Sequence, residues 1–243
     1  TIVRTGTGSI NMQAGQDIAI LDDLAPAVIY SAGRPVLNTP SGNAELVIAK
    51  DGLPLFINSG QVNPEAAGNI SLNAGRDIIG IEKVVDSTGK LTGNKGTDLS
   101  QFWWTWMQNP CLVTVSGCNP QSSSSLNFGM FGQGVMSAGG DIAVQAGQDV
   151  KGLAVSLPVT WRLVPDSQGQ QELAVFGGGD LALNVGRNLF GGSYFVANGQ
   201  GNIRVNDNII RSDALAQTLL AVQDGQLKVV AGGVLEIGGI YNP

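Results

Sequence analysis

The side chains able to do chemistry in this chain are few, and one reactive type is missing altogether: there is no histidine. Without imidazole, every serine–histidine or cysteine–histidine nucleophile arrangement is excluded, as are the common histidine-containing zinc sites. Paired carboxylates are the remaining enzymatic option, because two acids converging within about 5–10 Å on a cleft can hydrolyse a glycoside. Asp22 and Asp23 are adjacent and would point apart on a strand. Asp141 and Asp180 recur at one place in a repeated motif, which a structural role explains. No pair is singled out, so no catalytic residue is assigned and the chain is expected not to be an enzyme. The run Gly177-Gly-Gly-Asp-Leu-Ala182 matches a dinucleotide-binding pattern, but strand-like alternation follows where that pattern requires a helix. Gly89-Lys90 leads into Leu91, so there is no phosphate loop either. Neither cofactor nor metal is expected.

Binding chemistry is concentrated in one stretch. Asp98-Leu-Ser-Gln-Phe-Trp-Trp-Thr-Trp-Met107 holds three of the four tryptophans. It reads as a short helix capped by Asp98 or Ser100 and ending before Pro110. Phe102, Trp103, Trp104 and Trp106 either cover a flank of the core or form a contact patch for a sugar or protein. Cys111 and Cys118 follow closely. Two free thiols or a local disulfide both fit, an oxidising compartment favouring the second.

The elements that must hold these residues are read from a repeat. Gly8-Ser-Ile-Asn-Met-Gln-Ala-Gly-Gln-Asp-Ile18 returns as Gly68-Asn-Ile-Ser-Leu-Asn-Ala-Gly-Arg-Asp-Ile78 and as Gly140-Asp-Ile-Ala-Val-Gln-Ala-Gly-Gln-Asp-Val150. Further copies begin at Gly179, Gly201 and Gly225, with a looser one at Ala44–Leu53. Apolar and polar residues alternate within each copy, which is a strand with one buried face. A glycine turns the chain, and a second short strand begins. Leu181, Ile203 and Leu227 stand 22 and 24 residues apart. Two short strands meeting at a glycine corner every 22–24 residues predict a parallel β-helix of one domain over residues 1–243. Roughly ten coils would give a rod of order 50 Å. Asp17, Asp77, Asp149 and Asn188 share one motif position, where Asn or Asp bonds turn backbone. A calcium column would want tandem Gly-Gly-x-Gly-x-Asp, which is absent. The pattern lapses over residues 84–136, read as an insertion or irregular coils carrying the aromatic run.

Composition narrows the function class. Thirteen basic and 19 acidic residues give a net charge of −6, with only 13% of residues charged and 35 glycines. No basic stripe is available to neutralise phosphates, which argues against nucleic acid. No apolar run reaches the ~20 residues of a transmembrane helix. Thr1 opens directly onto strand-like sequence, with no signal peptide visible.

The Gly-[Asn/Asp/Ser]-Ile-x-Leu-x-Ala-Gly-x-Asp-Ile motif resembles the repeats of the filamentous haemagglutinin family, the large exoproteins of two-partner secretion in Gram-negative bacteria. The likeness covers most of the chain outside 84–136. It implies a right-handed parallel β-helix, export through an outer-membrane transporter, and display on or release from the cell surface. The expected function is a structural and adhesive module contacting a cell-surface receptor or glycan. Alternatives are the passive stalk of a contact-dependent inhibition toxin and a carbohydrate-active β-helix enzyme. The Asn-Pro-Asn-type motifs of the family's secretion domain are missing at Asn63-Pro64, Asn109-Pro110, Asn119-Pro120 and Asn242-Pro243, which points to a shaft or distal region.

Overall fold

The computed structural model describes residues 2–21, 27–35, 45–48, 54–57, 62–63, 67–95, 131, 133–211 and 217–242. Every regular element among them is a strand, β1 to β24, and none is a helix. Most strands are parallel and fall into three columns that the chain visits in the same order on each pass. The first column is β2 (Ile10–Ala14), β9 (Ile70–Ala74), β14 (Ile142–Ala146), β19 (Leu181–Val185) and the second halves of β21 (Ser193–Val205) and β23 (Leu219–Ala231). The second column is β3 (Ile18–Ala19), β10 (Ile78–Ile79), β15 (Val150–Lys151), β20 (Leu189–Phe190) and β22 (Ile209–Ile210), with Leu235 bridged beyond it. The third is β1 (Ile2–Thr5), β4 (Ala27–Ser31), β13 (Gln133–Ser137), β16 (Ala154–Leu157), the first halves of β21 and β23, and β24 (Gly239–Tyr241). Within each column the strands follow one another in sequence order, so successive passes stack as rungs of parallel sheet nearly closed around an axis.

The registers correct the spacing read from the motif. Val135 lies beside Val155, Leu183 beside Ile203, Leu189 beside Ile209 and Leu220 beside Ile240, so the shortest rung is 20 residues and not 22–24. The error came from matching Ile203 to Leu181. Gly201 is the residue that stacks on Leu181, and Leu227 stacks on Gly201. The side chains of Leu227 and Val196 close over the place where Gly201 has none. Other rungs are separated by 26, 39, 60, 72 or, from Ala27 to Gln133, 106 residues, a 20-residue rung plus inserted chain. Seven strands stand in the third column among the described residues. At ~4.8 Å per step the stack is roughly 30 Å long, shorter than ten coils would give.

Inserted chain leaves at two corners. Residues 22–26, 82–132 and 212–216 lie between the second and third columns, and residues 34–66 and 159–177 between the third and the first. Where described, the insertions are antiparallel pairs: β5 (Arg34–Pro35) with β8 (Val62–Asn63), β6 (Glu45–Ile48) with β7 (Pro54–Ile57), β11 (Glu82–Val85) with β12 (Leu91–Lys95), and β17 (Val159–Pro165) with β18 (Gln171–Gly177). The looser motif copy at Ala44–Leu53 therefore contributes a strand to the β6–β7 pair and not a rung. Leu91–Lys95 is strand, and Asp86–Lys90 is the turn joining β11 to β12. Parallel pairing resumes at Gln133, inside the stretch that lacked the motif.

Burial explains why some rung strands follow the alternating pattern and others do not. First-column strands such as Ile142–Ala146 bury every second residue and expose the rest. Third-column strands are buried on both sides throughout β4, β13 and β16. Their inward residues Ile29, Val135, Val155 and Tyr194 join the interior core. Their other face, with Val28, Tyr30, Met136 and Phe195, joins a second cluster that includes Phe131 and Val159, at the edges of two insertions. A strand covered on both faces reads as a continuous apolar run. Gln133, fully buried, mends the backbone where the 82–132 insertion rejoins: its side-chain oxygen accepts from the Ala154 N–H at 3.0 Å and its amide donates to the Gly152 carbonyl at 2.6 Å.

Candidate functional site

The corner between the first and second columns carries no insertion, and its residues explain why. Three residues turn it on every rung: Gly15-Gln-Asp17, Gly75-Arg-Asp77, Gly147-Gln-Asp149, Gly186-Arg-Asn188, Asn206-Asp-Asn208 and Gly232-Gly-Val234. Glycine stands here for clearance and not for its backbone angle, since Gly75, Gly147 and Gly186 are outside the left-handed region. A Cβ at any of the three would collide with the carbonyl of the glycine one rung earlier. Gly68, Gly140, Gly179, Gly199 and Gly225, leading into the first column, are stacked with the same closeness, each against the glycine before it.

Beside the glycines runs a hydrogen-bonded ladder. The Oδ1 of Asp17 accepts from the Asp77 N–H, Asp77 from Asp149, Asp149 from Asn188, Asn188 from Asn208, and Asn208 from Val234, at 2.8 to 3.2 Å. The turn backbone that each acceptor serves is that of the next rung. A parallel ladder runs Asn69 to Asp141 to Asp180 to Gln200 at 2.8 to 2.9 Å. Asp141 and Asp180 are thus one step apart in a column, each bound to backbone. Cations answer the first carboxylate column: Arg76 is paired with Asp17, Lys151 lies 2.5 Å from Asp77 and 3.8 Å from Asp149, and Arg187 lies 2.8 Å from Asp149. Among the described residues no cluster of three or more metal-ligating side chains is placed to hold an ion.

The hydrogen bond from Arg76, first among its causes, holds the Asp17 carboxyl below the usual carboxylate range. A carboxyl whose folded pKa is depressed stabilises the fold above its unfolded pKa of about 3.9 and loses that stabilisation as pH falls through the lower folded value. Asp17→Asn keeps the ladder acceptor and removes the charge. Denaturant midpoints measured from neutral pH downwards should therefore fall less steeply below about pH 4 in the variant. Added salt should shrink the difference, because the pair is exposed. An identical acid limb in both proteins would contradict the assignment.

The sequence-predicted contact residues Phe102, Trp103, Trp104 and Trp106, the cysteines Cys111 and Cys118, and Asp22 and Asp23 lie outside the described residues. What is described is their anchorage: β11–β12 at one end of the insertion, and Phe131 and Gln133 packed into the wall at the other. The second hairpin, β17–β18, was not foreseen. Leu173 and Val175 on it are 51% and 56% exposed and stand in register with Leu163 and Trp161. A signal existed in the shared turns Asp86-Ser-Thr-Gly89 and Asp166-Ser-Gln-Gly169. In each the Asp Oδ1 accepts two backbone N–H bonds, and the glycine is left-handed, with φ of 81° and 76°. That is a hairpin signature.

Comparison with protein-family models, with curated proteins and with solved structures gives no match. Among the described residues no helix is long and apolar enough to cross a membrane.

Proposed function

We propose that the chain is a stretch of right-handed parallel β-helix from an exported exoprotein of the filamentous haemagglutinin kind, a rod that presents an adhesive insertion. The observation that carries this reading is the division of labour among the corners. One corner is turned by three residues on every rung, held by a side-chain ladder and by glycines stacked at Gly15, Gly75, Gly147 and Gly186, while the insertions all leave at the other two. A rigid repeated frame with variable outgrowths is how solenoids separate length from contact. The rungs supply reach. The 82–132 insertion, with Phe102, Trp103, Trp104 and Trp106, supplies contact to a cell-surface receptor or glycan, since Trp anchors carry a large share of interface energy. Passage through an outer-membrane two-partner secretion transporter and display at the cell surface belong to the same proposal. So does a Cys111–Cys118 disulfide formed in the oxidising exterior.

A screen of glycans and host cells against the wild type and a Trp103→Ala/Trp104→Ala double variant tests it. Binding should weaken by roughly tenfold or more in a variant that keeps its β-type circular dichroism and melting temperature. Equal binding by both folded proteins, or binding by neither, would overturn the placement of contact in this insertion.

A further inference from the structure

Asn69 is the residue that leads into β9, and Ile70 and Ser71 follow it. Asn-x-Ser or Asn-x-Thr, with x other than proline, is the triplet that accepts an N-linked sugar. Asn69-Ile-Ser71 is its one occurrence in this sequence. The fold adds to the triplet an amide nitrogen that is oriented, exposed and unused.

The ladder fixes how the Asn69 amide lies. Its Oδ1 accepts the Asp141 N–H at 2.9 Å, a bond that the oxygen can make and the nitrogen cannot. Nδ2 is therefore the atom left over, and among the described residues it makes no hydrogen bond. Asparagines of the other ladder use theirs: Asn208 Nδ2 donates to Asn188 Oδ1 at 3.0 Å, and Asn188 Nδ2 lies 3.5 Å from Asp149 Oδ1. Asp141 and Asp180 do the work of Asn69 on the next two rungs with carboxylates, so stacking asks only for an acceptor here.

The triplet also faces outward. Asn69 is exposed and Ser71 half-buried, while Ile70 between them joins the interior core. Residues two apart along a strand share a face, so the Ser71 hydroxyl is on the same outer side as the Asn69 amide. Asn11 and Ala143, the register partners of Ser71, are small or slender and do not roof it over.

We propose that Asn69 is a glycosylation site, carrying a sugar on Nδ2. The donor is a sugar activated as a diphosphate ester at its anomeric carbon. Nδ2 bonds to that carbon, the carbon–oxygen bond to the diphosphate breaks, and the diphosphate leaves with the electron pair. One of the two Nδ2 protons passes to a base of the transferase. The product keeps the amide oxygen, so Oδ1 goes on accepting from Asp141 and the rungs stay stacked. None of this depends on the contact role of the 82–132 insertion.

Peptide mass spectrometry on the protein isolated from the cells that make it tests the site, with three variants produced in the same cells. Asn69→Asp retains the ladder acceptor, and Ser71→Ala leaves Asn69 untouched, so both should keep the β-type circular dichroism of the wild type. The wild-type peptide containing Asn69 should carry a sugar mass on that residue, and Ser71→Thr should carry it too. Asn69→Asp and Ser71→Ala should lose it. A wild-type Asn69 without sugar, or a sugar that persists on Asn69 in Ser71→Ala, would overturn the proposal.

Discussion

Gly140→Val is expected to destabilise the protein by about 3 kcal/mol or more. Gly140 is buried, and a Cβ there would stand 2.5 Å from the Gly68 carbonyl oxygen and 2.8 Å from that of Ala67. Both obstacles are backbone, and the neighbouring strands are pinned by ladder bonds such as Ile70 N–H to Asp141 O at 2.9 Å, so neither can move aside alone. The backbone at Gly140 is not left-handed, so the penalty is one of clearance and Gly140→Ala should already incur part of it. Chemical denaturation of wild type, Gly140→Ala and Gly140→Val should give midpoints that fall in that order. Midpoints within error of one another would mean that the rungs are not stacked as closely as described.

Asp149→Leu should lose a comparable amount, about 3 kcal/mol, for an electrostatic reason. Its carboxylate is nearly buried and holds the Asn188 N–H at 3.1 Å, Arg187 at 2.8 Å and Lys151 at 3.8 Å. Leucine would leave a part-buried donor without its acceptor and two cations without their shared anion. Asp149→Asn keeps the acceptor, as Asn188 and Asn208 do on the next two rungs, and should cost only about 1 kcal/mol. Equal losses from the two substitutions would remove the ladder from the explanation and leave only the charge.

How far the sequence reveals this arrangement depends on how each strand is covered. First-column strands bear one buried and one exposed face, so Ile142-Ala-Val-Gln-Ala and Leu181-Ala-Leu-Asn-Val reveal themselves by alternation. Third-column strands such as Ala27-Val-Ile-Tyr-Ser and Ser193-Tyr-Phe-Val-Ala are covered on both sides, lose the alternation, and went unread. Two of the three columns were thus legible as a motif and the third was not. The rung length was misread because Gly201 occupies an apolar position, so its motif copy was matched two residues out of place. The Asp and Asn column was visible by type, but its partner was not, since the next rung lies 20 to 72 residues away and depends on every insertion between. The aromatic run and the cysteines were conspicuous for the opposite reason: they interrupt the pattern, and a repeat says nothing about the geometry of what interrupts it.

The 20-residue rung is the claim on which the rest depends, and engineered disulfides test it most directly. In a background with Cys111→Ser and Cys118→Ser, one variant carries Asn184→Cys with Arg204→Cys. A second carries Asn184→Cys with Asn206→Cys, the pair that a 22-residue rung would bring together. Asn184 and Arg204 are exposed register partners on adjacent parallel strands, ~4.8 Å apart and within disulfide reach. Mild oxidation should close the first pair and leave the second as free thiols. Closure of the second pair with the first left open would contradict the stacking described, and with it the glycine and aspartate columns built upon it.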